Sequence, residues 1–180
     1  GMDKHEFEQF VTEHGKDILR FCRMNAGSTE RGNELYQDTM VKLLEKQKKL
    51  DVAQNIKSYA MQTAILLWKN KKKKYAVRNR ILPESSLEEY MEQGGMSSTC
   101  EDEKTLEQQM LDQAEIEEVQ AVVAALPEKY RMPVYLNFSA GMTMQEIAVC
   151  LHIPLSTVKT RMRKAKALLK EKLEAIGYDG

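Results

Sequence analysis

Residues 143–169 read TMQEIAVCLHIPLSTVKTRMRKAKALL, and this stretch decides the fold of the second half of the chain. Thr143 and Glu146 have the spacing of a capping box, so we expect a helix to begin there. The segment His152-Ile153-Pro154 ends that helix, because proline fixes φ and disfavours helical backbone at the residue before it. A second helix follows, whose apolar residues recur at helical spacing: Val158, Met162, Ala165 and Leu169.

The other face of this second helix is cationic and rich in hydroxyl groups. Its polar residues are Ser156, Thr157, Lys159, Thr160, Arg161, Arg163, Lys164 and Lys166. Two short helices joined by a tight turn, the second able to donate to phosphates and base edges, are typical of a helix-turn-helix that enters the DNA major groove. A helical hairpin with a solvated basic face is the alternative. The small Ala148 allows close helix packing and favours DNA binding.

In a recognition helix the N-terminal residues contact base edges and the flanking cations contact phosphates. The base-edge candidates are therefore Ser156, Thr157, Lys159 and Thr160. The phosphate candidates are Arg161, Arg163, Lys164 and Lys166, although Arg163 shares a face with Lys159 and could reach a base. The apolar residues of the helix should be buried and have no DNA role.

Composition excludes several classes of protein. The 180 residues are 42% hydrophobic and 30% charged, which is typical of a globular protein, and no apolar run approaches the roughly 20 residues of a membrane span. The N-terminus lacks the pattern of a signal peptide. Cys22, Cys100 and Cys150 are scattered and odd in number, without a C-x-x-C pair, so neither a disulfide framework nor a zinc site is expected. We therefore predict a cytoplasmic protein with free thiols, no metal, no cofactor and no membrane contact.

The net charge of zero hides a strong asymmetry along the chain. Residues 1–80 carry 17 basic against 10 acidic residues, residues 81–118 carry 1 against 12, and residues 119–180 carry 9 against 5. Two basic ends flank an acidic middle. This pattern indicates two modules that face nucleic acid and a connector of opposite sign.

Three amphipathic helices are expected in the first 80 residues, at 5–25, 30–47 and 56–79. The second has an apolar stripe of Leu35, Tyr36, Thr39, Met40, Leu43 and Leu44. Glu34, Gln37, Asp38 and Lys42 lie off that stripe. Asn55 can cap the third helix.

The third helix ends in a dense cluster of cations beside aromatic rings. The cluster comprises Trp68, Lys69, Lys71, Lys72, Lys73, Lys74, Tyr75, Arg78 and Arg80. One interpretation is a solvated helix end, since lysines stabilise a helix C-terminus through its dipole. The other is a single-strand surface, where rings stack on bases and cations follow phosphates. Because one or two cations are enough for a helix end, the nucleic-acid interpretation is favoured.

The segment 81–112 has no sustained periodicity and reads as an acidic flexible linker, with short helical turns at 86–92 and 103–112. A helix resumes at 113, and another starts at Leu126-Pro127. No phosphate loop, paired carboxylates with a histidine, or nucleophile with a base occurs in the sequence. We therefore predict no enzymatic activity and no small-molecule substrate.

Four segments in this order resemble bacterial RNA polymerase sigma factors of the extracytoplasmic-function group. They are ELYQDTMVKL at 34–43, NIKSY at 55–59 with its continuation to Arg80, ALPEKYR at 125–131, and GMTMQEIA at 141–148 with TVKTR at 157–161. The resemblance implies an all-α protein of two small domains, 2–80 and 113–180, joined by the linker. Three departures are Ala64-Ile65-Leu66, where the family often has Ala-Arg-Asn, Met132-Pro133, which puts a proline where the family usually has a helical acid, and His152, where a turn glycine is common. A proline inside a helix predicts a kink that displaces the first turn of the helix after Leu126-Pro127.

The resemblance also implies partners and roles. Core RNA polymerase would bind Glu34, Gln37, Asp38 and Lys42 through its clamp helices. The cluster from Trp68 to Arg80 would bind the −10 promoter element, and the helix-turn-helix would read the −35 element. The linker would follow a basic polymerase channel, and an anti-sigma factor is a further expected partner.

Two other functions fit parts of the chain. A stand-alone helix-turn-helix regulator would use residues 113–180, and a helical interaction protein would need no DNA at all. Each leaves at least one basic module without a role.

Overall fold

The computed structural model describes residues 1–51, 55–79 and 106–177, with the side chains of Asn79 and of residues 106–114 left undescribed. Within these ranges the fold is all-α, as predicted. The helices are α1 Lys4–Ala26, α2 Thr29–Glu45, α3 Ile56–Asn79, α4 Leu106–Ala124, α5 Glu128–Phe138, α6 Met144–Leu151 and α7 Leu155–Ala175, with a 3-10 turn at Gln47–Lys49. In these ranges no helix is long and apolar enough to cross a membrane.

Helices α1, α2 and α3 form the first domain, and local sequence sets their ends. The carboxylate of Asp3 accepts from the amide of Glu6 in a capping box, and Ser28 caps α2 by accepting from Arg31 N. Asn55 caps α3 as predicted, since its Oδ1 accepts from Ser58 N at 3.0 Å. The N-terminal ends of these three helices are therefore capped by residues of their own segments.

The crossing of α1 and α2 depends on a glycine. A Cβ at Gly32 would collide with the backbone of Arg23, so only glycine allows this approach. The core of the domain is built from fully buried apolar residues of all three helices: Ile18, Phe21, Cys22, Leu35, Leu43, Ala60, Met61 and Ala64. Leu44 was expected in this core but is 51% exposed, because it lies one helical step of 100° beyond Leu43.

Helices α4 to α7 form the second domain. Helix α4 begins at Leu106, so the last residues of the predicted linker are helical. Helix α5 continues through Pro133, which is buried within it. Helices α6 and α7 form the helix-turn-helix, and the buried core of the domain includes Leu126, Leu136, Ile147, Val158, Met162 and Ala165.

The two domains pack against each other, mainly through α3 on α6 and also through α1 on α5. Asn55 Nδ2 donates to Glu146 Oε2 at 2.7 Å, and Gln62 Nε2 donates to the carbonyl of Val149 at 3.3 Å. The thiol of Cys150 lies 3.9 Å from the carbonyl oxygen of Ser58. Helix α3 is therefore covered both by its own domain and by the first helix of the helix-turn-helix.

Candidate nucleic-acid and polymerase interfaces

The helix-turn-helix has the local geometry that its sequence predicts. Thr143 and Glu146 form a reciprocal capping box, with Glu146 N donating to Thr143 Oγ1 at 3.1 Å and Thr143 N to Glu146 Oε1 at 3.0 Å. His152 ends α6 in the left-handed conformation, with φ 55° and ψ 43°. Pro154 then begins α7. These contacts define the turn between α6 and α7.

The apolar row of α7 is buried as predicted, since Val158, Met162 and Ala165 are at most 1% exposed. Most of the DNA-contact candidates on α7 are solvent-exposed, and two are half-buried. The exposed ones are Ser156, Lys159, Thr160, Arg163, Lys164 and Lys166, and the half-buried ones are Thr157 and Arg161. The buried row thus presents the polar face of α7 to solvent.

The structure divides the polar residues of α7 into two rows. Lys159, Arg163 and Lys166 follow one another at helical spacing on one side. The other side faces α5 across a surface cleft of about 320 Å³. From α7 this cleft is lined by Ser156, Thr157, Thr160, Arg161 and Lys164, and from α5 by Lys129 and Tyr130.

Sequence reasoning missed Lys129 and Tyr130 as candidate contacts. The Lys129 ammonium lies 5.0 Å from the centroid of the Tyr130 ring, so the cation rests on the aromatic face at the mouth of the cleft. Neighbouring Arg131 is different, because its guanidinium donates to the carbonyl oxygens of Ala124 and Leu126 at the end of α4. The signal in the sequence was a cation followed by an aromatic residue directly after the helix start at Pro127.

Five cations of the predicted cluster on α3 are exposed: Lys69, Lys72, Lys73, Lys74 and Arg78. Arg80 lies outside the described residues. Partial loss of solvent around its ammonium group, and then the nearby charge of Arg131, lower the pKa of Lys72, although the residue as a whole is exposed.

The expected stacking role of Trp68 is wrong. Its side chain is only 3% exposed and lies in the core between α3 and its neighbours. Tyr75 is half-buried, with its ring centroid 6.3 Å from that of Trp68 and 4.2 Å from the Arg31 guanidinium carbon. The aromatic spacing that suggested stacking on bases reflects packing at the end of α3.

Lys71 also differs from its predicted role as a phosphate contact. Its Nζ lies 2.7 Å from Asp38 Oδ2 and 3.1 Å from Glu34 Oε1, so it pairs with two residues predicted to bind polymerase. Desolvation opposes its charged form, but the two carboxylates outweigh it and raise the pKa of Lys71. We therefore reassign Lys71 from the DNA set to the joint between α2 and α3.

The outer face of α2 combines polar and apolar groups. Glu34 and Gln37 are exposed, and Asp38 is half-buried by its pairing with Lys71. Lys42 is also exposed, and its Nζ lies 3.6 Å from Glu45 Oε2. Val41 and Leu44, each 51% exposed, lie beside Gln37 on this face, where the sequence suggested only polar candidates.

Family models match both domains. A model described as sigma-70 region 2 matches residues 10–78, and a model described as sigma-70, region 4 matches residues 116–169. The chain belongs to the sigma-70 family. The region 2 match contains the described candidates on α2 and α3, and the region 4 match contains all those on α7.

The chain is also similar to an extracytoplasmic-function (ECF) sigma factor and to two solved sigma-factor complexes. The ECF RNA polymerase sigma factor SigW of Bacillus subtilis (strain 168) is 22% identical over 175 residues, which cover 95% of this chain and 90% of the relative. The sigma factor RpoE of Bartonella quintana, solved in complex with the anti-sigma factor NepR, superposes with a TM-score of 0.69 at 17% identity, covering 94% of this chain and 97% of that one.

A second solved structure is CnrH in complex with the cytosolic domain of CnrY. It superposes with a TM-score of 0.64 at 18% identity, covering 96% of this chain and 90% of that one. These two likenesses show a shared fold over nearly the whole sigma factor.

Proposed function

We propose that this sigma factor binds core RNA polymerase through the outer face of α2, contacts the −10 element with the exposed cations of α3, and reads the −35 element with α7. The observation that carries the proposal is α7 itself. Its apolar row is buried on a capped α6, and its cations and hydroxyls are presented to solvent. That arrangement is what recognition in the major groove requires.

Transcription from a defined template tests the proposal directly. Core polymerase from a bacterium with an ECF sigma factor, mixed with this chain, should produce a run-off transcript from a promoter selected out of a random-sequence library. Core polymerase alone should not. A chain that binds DNA by itself but never directs a transcript would instead be a stand-alone regulator.

Reversing the charge of Asp38 would be a poor test of the polymerase interface on α2. It would place a second cation beside Lys71 and disturb the contact between α2 and α3. We choose Gln37→Arg, because Gln37 is exposed on the predicted face, and Gln9→Arg as its matched control on the exposed surface of α1. Gln37→Arg should abolish capture by core polymerase and Gln9→Arg should not. Equal capture of both variants would refute this interface.

Three further points are part of the proposal. We infer that the protein acts in the cytoplasm and has no catalytic site of its own. We also infer that an anti-sigma factor is a partner, which is supported by the complex in which the similar RpoE was solved. The linker residues 81–105 lie outside the described ranges, and their path through a polymerase channel stays a prediction.

A further inference from the structure

The cleft between α5 and α7 has the charge of an anion site. Three cations line it, from Lys129, Arg161 and Lys164, and no carboxylate is among its lining residues. Because Lys129 and Lys164 are exposed, an anion can enter without displacing other side chains. The cations come from two different helices, so one bound anion would join α5 to α7.

Helix polarity adds to this charge. Among the helices with a described N-cap, α1, α2 and α6 have a side-chain cap, whereas α5 and α7 begin at Pro127 and Pro154 without one. A helix N-terminus without a cap leaves its first amides for water or a ligand, and its dipole favours negative charge. The two helices that line the cleft are therefore the two whose first amides have no side-chain cap.

The hydroxyl groups of the cleft are not equivalent. Thr160 Oγ1 donates to the carbonyl of Ser156 at 3.0 Å, so its proton is used within α7. Tyr130 and Thr157 contribute hydroxyls on opposite walls. A tetrahedral oxyanion between them would receive donors from both helices.

We propose that this cleft binds one backbone phosphate of promoter DNA beside the −35 element, with Lys129 and Tyr130 as contacts outside the recognition helix. The inference rests on the proposed function, since it requires α7 to lie in the major groove. Anchoring α5 on the backbone would hold α7 at one angle to the base pairs. The row of Lys159, Arg163 and Lys166 would then be the side of α7 nearer to base edges and the opposite strand.

Methylphosphonate interference on full-length protein tests this site. A single neutral linkage is placed in turn at each position of a −35 duplex, and affinity is compared between the wild type, Lys129→Ala, Tyr130→Phe and the control Lys16→Ala, which removes an exposed charge on α1. One or two adjacent linkages should weaken binding of wild type and Lys16→Ala but not of Lys129→Ala. Lys129→Ala should also weaken binding to all sequences alike and flatten the log–log salt dependence by about 0.9. Tyr130→Phe should show a smaller loss at the same linkage.

Two results would overturn the proposal. One is a Lys129→Ala profile that keeps full sensitivity at every linkage. The other is binding of inorganic phosphate, at matched ionic strength, without any sensitive linkage, which would make the cleft a small-anion site. Run-off transcription by the wild type is measured in parallel. Normal transcripts with an unchanged Lys129→Ala profile would reject the cleft alone, whereas absent transcripts would reject the proposed function.

Discussion

His152 has a backbone conformation that its side chain does not favour. It is the one non-glycine residue with a positive φ in the described ranges, and it ends α6 where the turn of the helix-turn-helix begins. For an L-residue with a Cβ the left-handed region costs roughly 1–2 kcal/mol, and glycine avoids that cost. The imidazole is exposed, so its removal loses no packing.

We expect His152→Gly to stabilise the protein by roughly 0.5–1 kcal/mol, because glycine relieves the turn but gains entropy in the unfolded chain. Gly27→Ala is a control with the opposite expected effect, because it adds a Cβ at a position of positive φ. Gly27 ends α1 with φ 77°, and a Cβ there would meet no atom within 4 Å, so its cost of about 1 kcal/mol is conformational. Urea unfolding followed by circular dichroism measures both. A destabilised His152→Gly would show that the histidine makes a contact that matters.

Lys71 and Lys73 are two residues apart on α3, yet their environments differ. Lys71 is paired with Asp38 and Glu34, whereas Lys73 is exposed. Lys73→Ala should flatten the salt dependence of single-stranded −10 DNA binding by about 0.7, the value for one lost phosphate contact. Lys71→Ala should leave that slope unchanged and lower the unfolding free energy instead. Filter binding at several salt concentrations measures the two slopes. Equal slopes for the two variants would show that Lys71 also contacts a phosphate.

At the scale of single elements, one residue of α6 both caps its own helix and contacts the neighbouring domain. Glu146 accepts from Thr143 N within the capping box and from Asn55 Nδ2 across the domain boundary. The hydrogen bond from the Thr143 amide, and then those from Asn55 and the Thr143 hydroxyl, lower the pKa of Glu146 despite partial burial. The charged carboxylate therefore supports both α6 and its position on α3.

This lowered pKa gives a pH dependence with a definite sign. The folded state binds the proton less readily than the unfolded chain, so the stabilisation by Glu146 is present above its ordinary pKa of 4.5 and is lost as the pH falls through the folded value. Glu146→Gln should be less stable at neutral pH and show a weaker decline below about pH 4.5. Thermal unfolding between pH 3 and 7 measures it, and parallel curves would exclude the carboxylate as a source of acid sensitivity.

The two ends of the row Lys159, Arg163 and Lys166 on α7 should differ in what they contact on the DNA. Lys159, near the N-terminus of the helix, should contact a base, so Lys159→Ala should lose about 1–3 kcal/mol at one base pair and relax preference there. Lys166 lies two turns later, and Lys166→Ala should weaken all sequences alike and reduce the salt slope by about one. A binding selection on randomised −35 sites separates the two. If Lys159→Ala lowers every site equally, base recognition by Lys159 is wrong.

The whole molecule, as described, is too compact to span a promoter. Helix α7 packs on α6, and α6 packs on α3, so the two helices that we propose to contact DNA lie roughly 20 Å apart at 8–10 Å per helix contact. Elements at −10 and −35 are about 25 base pairs, or roughly 85 Å, apart along the DNA. If α3 contacts the −10 element and α7 the −35 element as proposed, we expect the contact between α3 and α6 to break before both elements are bound.

The reactivity of Cys150 can be used to detect whether α3 and α6 are in contact. It is 3% exposed and faces Ser58 of α3, and burial raises the pKa of its thiol to about 12, so it should resist alkylation in the free protein. Cys22, whose pKa burial also raises to about 12, is an internal control in the core of the first domain. In a Cys100→Ser background, polymerase and promoter DNA should speed alkylation of Cys150 several-fold but not that of Cys22. Continued protection of Cys150 in an active promoter complex would show that the domains stay docked.

Much of the fold could be predicted from the sequence, because its determinants are local. The caps at Thr143 and Asn55, the turn before Pro154 and the periodic apolar rows depend on residues a few positions apart. The buried row of α7 and the exposed cations opposite it followed from the same periodicity. Together with the order of the four motifs, these features were enough to predict two helical domains and the family.

Tertiary structure alone decided which polar and aromatic residues are available to partners. The sequence places Trp68 and Lys71 in a nucleic-acid surface, but Trp68 is buried in the core, and the fold brings Asp38 of α2 to Lys71. The packing of the two domains was not predictable either, because the hydrogen bonds from Asn55 to Glu146 and from Gln62 to Val149 join residues about 90 positions apart. Contacts between residues far apart in sequence leave no periodic signal, because each partner is compatible with many others until the helices are placed.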